Sequence, residues 1–189
     1  MNLFKILKWS ASAIGLAVLK AGLGSRISWP RAGKPIYIGR GARIRVAEGG
    51  RLEIGAALYL SENCLIQMNP GARASFGKEV FMNANSRVVA AESVHVGDHG
   101  MFRPNVCVYD HDHVFGENGV SNDLVTSPVE IDECCWMDAN TLVTRGTKIA
   151  DHVCVGGDCH SIPRGGRHLR RSSSETHRLP CHTRQVREQ

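Results

Sequence analysis

Hydrophobic residues recur at every sixth position through most of this 189-residue chain. The runs are Ile38 and Ile44; Ile54, Leu60 and Ile66; Phe76, Met82 and Val88; Val96, Phe102 and Val108; and Ile131, Met137, Val143, Ile149 and Val155. An α-helix repeats about every 3.6 residues and a strand about every two, so neither accounts for this period. A period of six predicts a parallel β-helix, in which each hexapeptide forms one short side of a triangular coil and its first residue points into a shared core.

Offsets between the runs indicate that each coil contains about three hexapeptides, with insertions or deletions at the corners. We expect residues 36–157 to form stacked coils, because a single coil cannot bury its own apolar face. The side chains expected to be buried are Ile38, Ile54, Ile66, Phe76, Met82, Val88, Val96, Val108, Ile131, Val143, Ile149 and Val155. A glycine often follows the inward residue, as at Gly55 and Gly97, and predicts a corner with positive φ.

Residues 1–35 differ from the repeat and predict an N-terminal element with a lead-in segment. Residues 2–23 combine apolar side chains with Lys5, Lys8 and Lys20. This run is too short and too interrupted to predict a membrane-spanning helix. Lys20 argues against a signal peptide, because it stands where the cleavage site would have small residues. We predict a basic amphipathic helix that packs beside the first coil or rests on a membrane surface.

The seven cysteines are an odd number, and none forms a C-x-x-C pair. This pattern favours reduced thiols over a disulfide framework or a zinc cage. Reduced thiols are typical of the cytoplasm, so we expect a cytoplasmic protein that is peripherally associated with a membrane if its N-terminal helix rests there.

Residues 158–189 lack the six-residue period and predict a disordered basic tail. The formal net charge of the whole chain is +5, and residues 159–189 contain seven arginines, two glutamates and no lysine. Arginine-rich tails bind nucleic acid electrostatically, but no aromatic residue is interleaved here for base stacking. We therefore expect no nucleic-acid partner, and translation in a shifted reading frame would also produce such a tail.

Several motifs carry a resemblance to a known family. They are residues 81–85, residues 96–98 with 104–106, Asp112-His113, and residues 128–149 around Trp136. Over residues 36–157 the chain resembles the hexapeptide-repeat O-acetyltransferases, which include galactoside and maltose acetyltransferases and enzymes that acetylate capsular or lipopolysaccharide sugars. The resemblance implies an all-β, left-handed parallel β-helix, a homotrimer, acetyl-CoA as the donor and a sugar hydroxyl as the acceptor.

Acetyl transfer to a hydroxyl requires a general base, because a hydroxyl is a weak nucleophile at neutral pH. Histidine suits this role, since its ordinary pKa of about 6.5 leaves it mostly neutral and able to accept a proton. His113 lies where the family has its catalytic histidine and is the preferred base, with His111 as the alternative. Asp110 and Asp112 either orient an imidazole ring or are simply solvated.

The resemblance also implies contacts with the two substrates. The implied coenzyme contacts are Trp136, Ala139, Asn140, Gly146 and Gly157, and the implied acceptor contacts are Asn85 and Asp112. Asn85 has an equally weighted alternative role in a stack of asparagines. Residues 114–128 leave the repeat and predict a lid over the acceptor, or else an ordinary corner loop. The histidines lack the spacing of the zinc site found on related scaffolds, so we expect no metal.

The chain departs from the family pattern after Asp158, where the family has further turns that shape the nucleotide end of the coenzyme site. This departure predicts an alternative function, in which the protein is a catalytically inactive or truncated β-helix that serves as a scaffold or assembly subunit. An N-acetyltransferase is a third alternative, because the same base would serve an amine acceptor.

Overall fold

The computed structural model describes residues 15, 17–30, 36–117, 119–158, 160–161 and 177–178. Residues 17–23 are helical and continue into a 3-10 helix at Gly24–Arg26. The strands are β1 (Ile27–Ser28), β2 (Tyr37–Ile38), β3 (Arg43–Val46), β4 (Arg51–Ile54), β5 (Tyr59–Leu60), β6 (Leu65–Met68), β7 (Arg73–Phe76), β8 (Phe81–Met82), β9 (Arg87–Ala90), β10 (Ser93–Val96), β11 (Met101–Phe102), β12 (Cys107–Tyr109), β13 (His111–Gly116), β14 (Gly119–Thr126), β15 (Val129–Ile131), β16 (Trp136–Met137), β17 (Leu142–Val143), β18 (Lys148–Ile149), β19 (Val153–Val155), β20 (His160–Ser161) and β21 (His177–Arg178).

Three parallel sheets form the faces of a triangular β-solenoid. Face 1 has the strand order β1-β4-β7-β10-β15-β18, face 2 has β2-β5-β8-β11-β16-β19, and face 3 has β3-β6-β9-β12-β17-β20. Consecutive strands along the chain belong to different faces, so each coil crosses faces 1, 2 and 3 in turn. We name the turns between faces corner 1–2, corner 2–3 and corner 3–1. The predicted hexapeptide-repeat parallel β-helix is confirmed.

The inward residues of the hexapeptides form one continuous apolar core. Every residue that was expected to be buried lies in this core except Ile38, which is half-buried and packs against it. The four-residue strands alternate exposed and buried side chains, as β3 and β4 do. This alternation leaves polar residues on the outer surface of the faces, where a ligand or another chain can reach them.

Glycines after the inward residues do not adopt the positive φ predicted from the sequence. Positive φ occurs two positions later, at Ala57 and His99. A Cβ on Gly55 would lie 2.6 Å from the backbone carbon of Gly77, and one on Gly97 would lie 2.7 Å from that of Asp132. These glycines therefore allow adjacent coils to stack closely because they lack a Cβ, and not because they adopt a positive φ.

Within the described residues, the chain makes its one long excursion from the solenoid at corner 3–1. There β13 and β14 pair as an antiparallel hairpin, and the register shifts between His113 and Phe115. The segment predicted as loop 114–128 is therefore largely a β-hairpin that begins at His111. Its far end exposes Phe115 and Val120, which are cross-strand partners.

The coils extend beyond both ends of the region that the repeat indicates. Strand β1 pairs in parallel with β4, and β20 pairs in parallel with β17. Strand β21 adds to face 2 in the antiparallel direction beside β19. Much of the predicted helix 2–23 and of the tail 158–189 lies outside the described residues. In the part of the chain that is described, no helix is long and apolar enough to cross a membrane.

Among the described cysteines, one differs from the prediction. Cys134 is disulfide-bonded, whereas Cys64, Cys107, Cys135 and Cys154 are free. The expectation that all cysteines are reduced thiols is therefore wrong for Cys134. Burial raises the pKa of the Cys64 thiol to about 11, so this thiol stays protonated at neutral pH.

Candidate active site

Two histidines lie at the base of the hairpin, where the chain leaves corner 3–1. His111 and His113 are two positions apart on β13, so their imidazoles project from the same side of the strand. Their cross-strand partners on β14 are Thr126 and Leu124. The His111 side chain is only 15% exposed, whereas His113 is exposed to solvent.

A buried carboxylate positions His111. Asp110 is fully buried, and its Oδ1 and Oδ2 accept hydrogen bonds from the backbone N–H groups of Ala91 and Glu92 at 2.7 and 2.8 Å. Oδ1 also accepts a hydrogen bond from Nδ1 of His111 at 2.9 Å. Because a carboxylate can only accept, Nδ1 is the donor, and in the neutral ring Nε2 presents a lone pair. The His111 and Tyr109 rings are also nearly perpendicular to each other, with the ring centroids 6.0 Å apart.

His113 has a different partner. Its Nδ1 donates a hydrogen bond to the backbone carbonyl of Ser121 at 3.0 Å, across the hairpin. In the neutral ring, Nε2 of His113 therefore also presents a lone pair. Both histidines can adopt the tautomer of a general base, but of the two only His111 is hydrogen-bonded to a carboxylate. A carboxylate at this position stabilises the imidazolium that forms when Nε2 accepts a proton.

An ion pair joins the hairpin to the following coil. Nε of Arg145 lies 2.7 Å from Oδ2 of Asp112. Arg145 occupies corner 3–1 one coil further along, and the adjacent Gly146 donates its backbone N–H to the Ser127 carbonyl at 3.1 Å. Asp112, a predicted acceptor contact, is thus exposed and paired with a cation. Sequence reasoning missed Arg145, since no local pattern connects residues so far apart.

Trp136, a predicted coenzyme contact, lies on face 2. The residue is 37% exposed, and the guanidinium of Arg103 lies 5.9 Å from the ring centroid. Ala139 and Asn140 follow at corner 2–3, and Gly157 occupies the same corner of the next coil. A Cβ on Gly157 would lie 3.1 Å from the carbonyl oxygen of Ala139, so the two coils approach closely there.

Asn85 belongs to a column of asparagines at corner 2–3. Asn63, Asn85, Asn105 and Asn140 all have positive φ, which asparagine tolerates better than most residues. Nδ2 of Asn63 donates to Oδ1 of Asn85 at 3.4 Å, and Nδ2 of Asn105 donates to Oδ1 of Asn140 at 3.0 Å. This geometry corresponds to the asparagine-stack alternative for Asn85, and it includes Asn140 as well.

The candidate residues therefore fall into two groups within one chain. The first group lies at corner 3–1 and contains His111, Asp112, His113 and Gly146. The second group lies on face 2 and at corner 2–3 and contains Asn85, Trp136, Ala139, Asn140 and Gly157. In a triangular cross-section, corner 3–1 is opposite face 2. A single chain does not bring the histidines and Trp136 together.

The described residues contain no group of three or more histidine, cysteine or acidic side chains that could hold a metal ion. Corner 3–1 itself offers an imidazole that is hydrogen-bonded to a buried carboxylate. The fold and this corner together define a hexapeptide-repeat solenoid with a candidate acid–base site.

Comparisons with known proteins agree with this class. The chain is 31% identical over 108 residues to a galactoside O-acetyltransferase of Lactococcus lactis subsp. lactis (strain IL1403). The match covers 51% of this chain and 50% of that protein, so the chain spans about half the length of the curated relative. The predicted resemblance to the hexapeptide-repeat acetyltransferases is therefore confirmed.

A solved structure is also similar to the chain. It is the crystal structure of a hexapeptide-repeat-containing acetyltransferase from Vibrio cholerae O1 biovar eltor, complexed with acetyl coenzyme A. The TM-score is 0.46 and the sequence identity is 15%, with 67% of this chain and 61% of that chain covered. No family model matches the sequence.

Proposed function

We propose that this protein is an acetyltransferase that moves the acetyl group of acetyl-CoA to a hydroxyl of a sugar, as part of a glycoside, polysaccharide or lipopolysaccharide. The observation that carries this proposal is the pair of histidines at corner 3–1, one of them held by the buried Asp110 carboxylate. The similarity to a galactoside O-acetyltransferase supports both the acetyl group and the sugar acceptor.

His111 is the base that we propose in preference to His113. Nε2 of His111 accepts the proton of the acceptor hydroxyl while the hydroxyl oxygen attacks the thioester carbonyl carbon. The carbon–sulfur bond then breaks, and the imidazolium returns its proton to the departing thiolate of coenzyme A. Asp110 keeps the ring in the required tautomer and stabilises its positive charge. No acyl-enzyme is needed, because the thioester is already activated and both substrates are held together.

We further propose that the active site is shared between copies in a homotrimer. The proposed coenzyme contacts on face 2 and corner 2–3 are opposite His111 in one chain, so a neighbouring copy must supply them. Face 2 offers a suitable surface, because its outward side chains form an apolar column in register. This column contains Tyr59, Phe81, Met101 and Trp136, and it begins beside Tyr37, which is itself buried. Tyr59 stacks on Tyr37 and Phe81, with centroid distances of 4.4 and 4.9 Å.

Single substitutions test the choice of base. We expect His111→Ala to lower the rate of acetyl transfer to a galactoside by about a hundredfold or more, because the proton then has no acceptor. His113→Ala should cost less, since Asp110 still holds His111. The release of free coenzyme A thiol measures the rate. His99→Asn, at corner 1–2, is the matched control and should retain full activity. The opposite ranking of the two alanine variants would assign the base to His113.

Coenzyme binding separates the enzyme from the inactive-scaffold alternative. Calorimetric titration of the full chain with coenzyme A should give saturable binding, and His111→Ala should retain it, because the imidazole acts on the acceptor. If the chain neither binds coenzyme A nor transfers acetyl groups, the scaffold function is favoured. Near-normal activity in both histidine variants would remove the proposed mechanism.

A further inference from the structure

A polar groove runs across face 1, and the proposed mechanism does not use it. Two neighbouring cavities of about 340 and 460 Å³ share Glu53, Ser75 and His95 in their walls. One cavity continues to Trp29 at corner 1–2, and the other continues to Glu130 on β15. We call these two cavities together the face 1 groove.

Two arginines line the groove side by side. Arg51 on β4 and Arg73 on β7 are in register, and Ser93 on β10 continues the column. Neighbouring strands are about 4.8 Å apart, so two cationic side chains in register lie side by side and repel each other. Neither arginine forms an ion pair with any described residue. An anion bound between the two guanidinium groups would relieve the repulsion with charge-assisted hydrogen bonds.

The next outward column supplies groups that suit hydroxyls. Glu53, Ser75 and His95 are in register, and Ser75 Oγ lies 2.8 Å from Nδ1 of His95. Glu130 continues this column but is paired with Lys148 at 2.8 Å. Carboxylate, hydroxyl and imidazole groups in one row can exchange several hydrogen bonds with the hydroxyls of a sugar.

The arginine end of the groove lies beside the histidine corner. The strands of face 1 start at corner 3–1, so Arg51, Arg73 and Ser93 occupy the edge nearest to the hairpin. The backbone at Ala91 and Glu92, which binds the Asp110 carboxylate, leads directly into β10. A chain of sugar units that presents one hydroxyl at His111 could therefore continue into the groove.

We propose that the face 1 groove binds an anionic saccharide, with its carboxylate or phosphate on Arg51 and Arg73 and its hydroxyls on Glu53, Ser75 and His95. The proposal rests on the proposed sugar acetyltransferase function, and it specifies the acceptor as an acidic glycan. It adds a binding site away from the reacting hydroxyl, and it explains why two unpaired arginines are adjacent on this face.

Binding to the full chain without any acetyl donor tests the proposal. At low salt, calorimetry should show saturable binding of trigalacturonic acid that is at least about tenfold tighter than binding of a neutral galactose trisaccharide. Arg51→Gln and Arg73→Gln should each weaken that binding about tenfold, and added salt should weaken it in the wild type. Arg43→Gln is the matched control, because Arg43 is an exposed first residue of a face 3 strand.

Galactose 1-phosphate distinguishes the two sources of negative charge. If it binds more tightly than galacturonic acid, a monosaccharide of the same size, the anion is a phosphate, and if it binds more weakly the anion is a carboxylate. The proposal is overturned if charged and neutral sugars bind equally, if inorganic phosphate alone binds as tightly as the sugar phosphate, or if Arg43→Gln loses as much affinity as Arg73→Gln. Since no acetyl donor is present, a failure of acetyl transfer would leave these affinities unchanged.

Discussion

At the scale of single residues, Asp110 has both a structural and a chemical role. Its fully buried carboxylate accepts hydrogen bonds from two backbone N–H groups of the preceding coil and from the imidazole of His111. A buried carboxylate is costly unless each oxygen is satisfied, as both are here. The same group that fastens the hairpin to the solenoid therefore also sets the orientation of the proposed base.

Asp110→Asn tests this double role. The asparagine NH2 group would face an N–H donor that the carboxylate oxygen now accepts from. The resulting unsatisfied buried group costs about 1–3 kcal/mol of stability. We expect a lower melting temperature and a kcat that falls by about tenfold or more, because His111 loses its carboxylate. The KM for acetyl-CoA should stay the same. Steady-state kinetics and thermal denaturation measure the three quantities.

Asp112→Asn provides the comparison for that variant. Asp112 is exposed and pairs with Arg145, and a surface ion pair contributes little to stability. Its loss should therefore change the melting temperature less than the loss of Asp110. A kcat that is normal in Asp110→Asn would show that the carboxylate has only a structural role, and the base assignment would then return to His113.

The sequence revealed the histidines, but it did not reveal how they are held. Two histidines and two aspartates within four positions indicate chemistry, so His111 and His113 could be found by inspection. Which carboxylate is buried depends on the path of the backbone through corner 3–1. The partner of Asp112 is 33 positions away in the sequence, and only the stacking of coils brings them together.

At the scale of elements, the inward positions predicted the strands well because burial in a solenoid repeats regularly. The period also predicted corners, but it did not explain the glycines, whose role depends on the neighbouring coil. Strand β1 was missed, since one two-residue strand upstream of the repeat has no period of its own. The hairpin had an available signal in the Asn-Gly pair at positions 118–119, which favours a tight turn between two strands.

Gly97→Ala tests whether these glycines serve coil stacking. The added Cβ would lie 2.7 Å from the backbone of Asp132, and neither coil can move without disturbing its hydrogen bonds. We expect a loss of about 1–3 kcal/mol of stability, measured by chemical denaturation. Gly116→Ala is the control, because a Cβ on Gly116 would meet nothing within 4 Å. Equal stability of the two variants would contradict the stacking role.

At the scale of the whole molecule, the solenoid separates the groups that the proposed reaction must combine. Its three faces repeat in every coil, so residues on face 2 stay on face 2 throughout, and Trp136 cannot approach His111 by any small rearrangement of one chain. The sequence could not show this, because a six-residue period reports which residues point inward and says nothing about which outer surfaces meet. Only contact between copies would join the two groups.

Mixing two inactive variants tests whether the site is shared. His111→Ala lacks the proposed base, and Trp136→Ala lacks the proposed coenzyme contact, so each should be nearly inactive alone. If the chains are co-expressed and a site takes one group from each of two neighbours, random assembly should restore about a quarter of the wild-type activity, since each group is intact in half of the chains. The mixture of His111→Ala with Asp110→Asn is the control and should recover little, because both changes affect the same corner of one chain. Equal activity in the two mixtures, or a fully active monomer in sedimentation, would place the whole site within a single chain and refute the shared trimer.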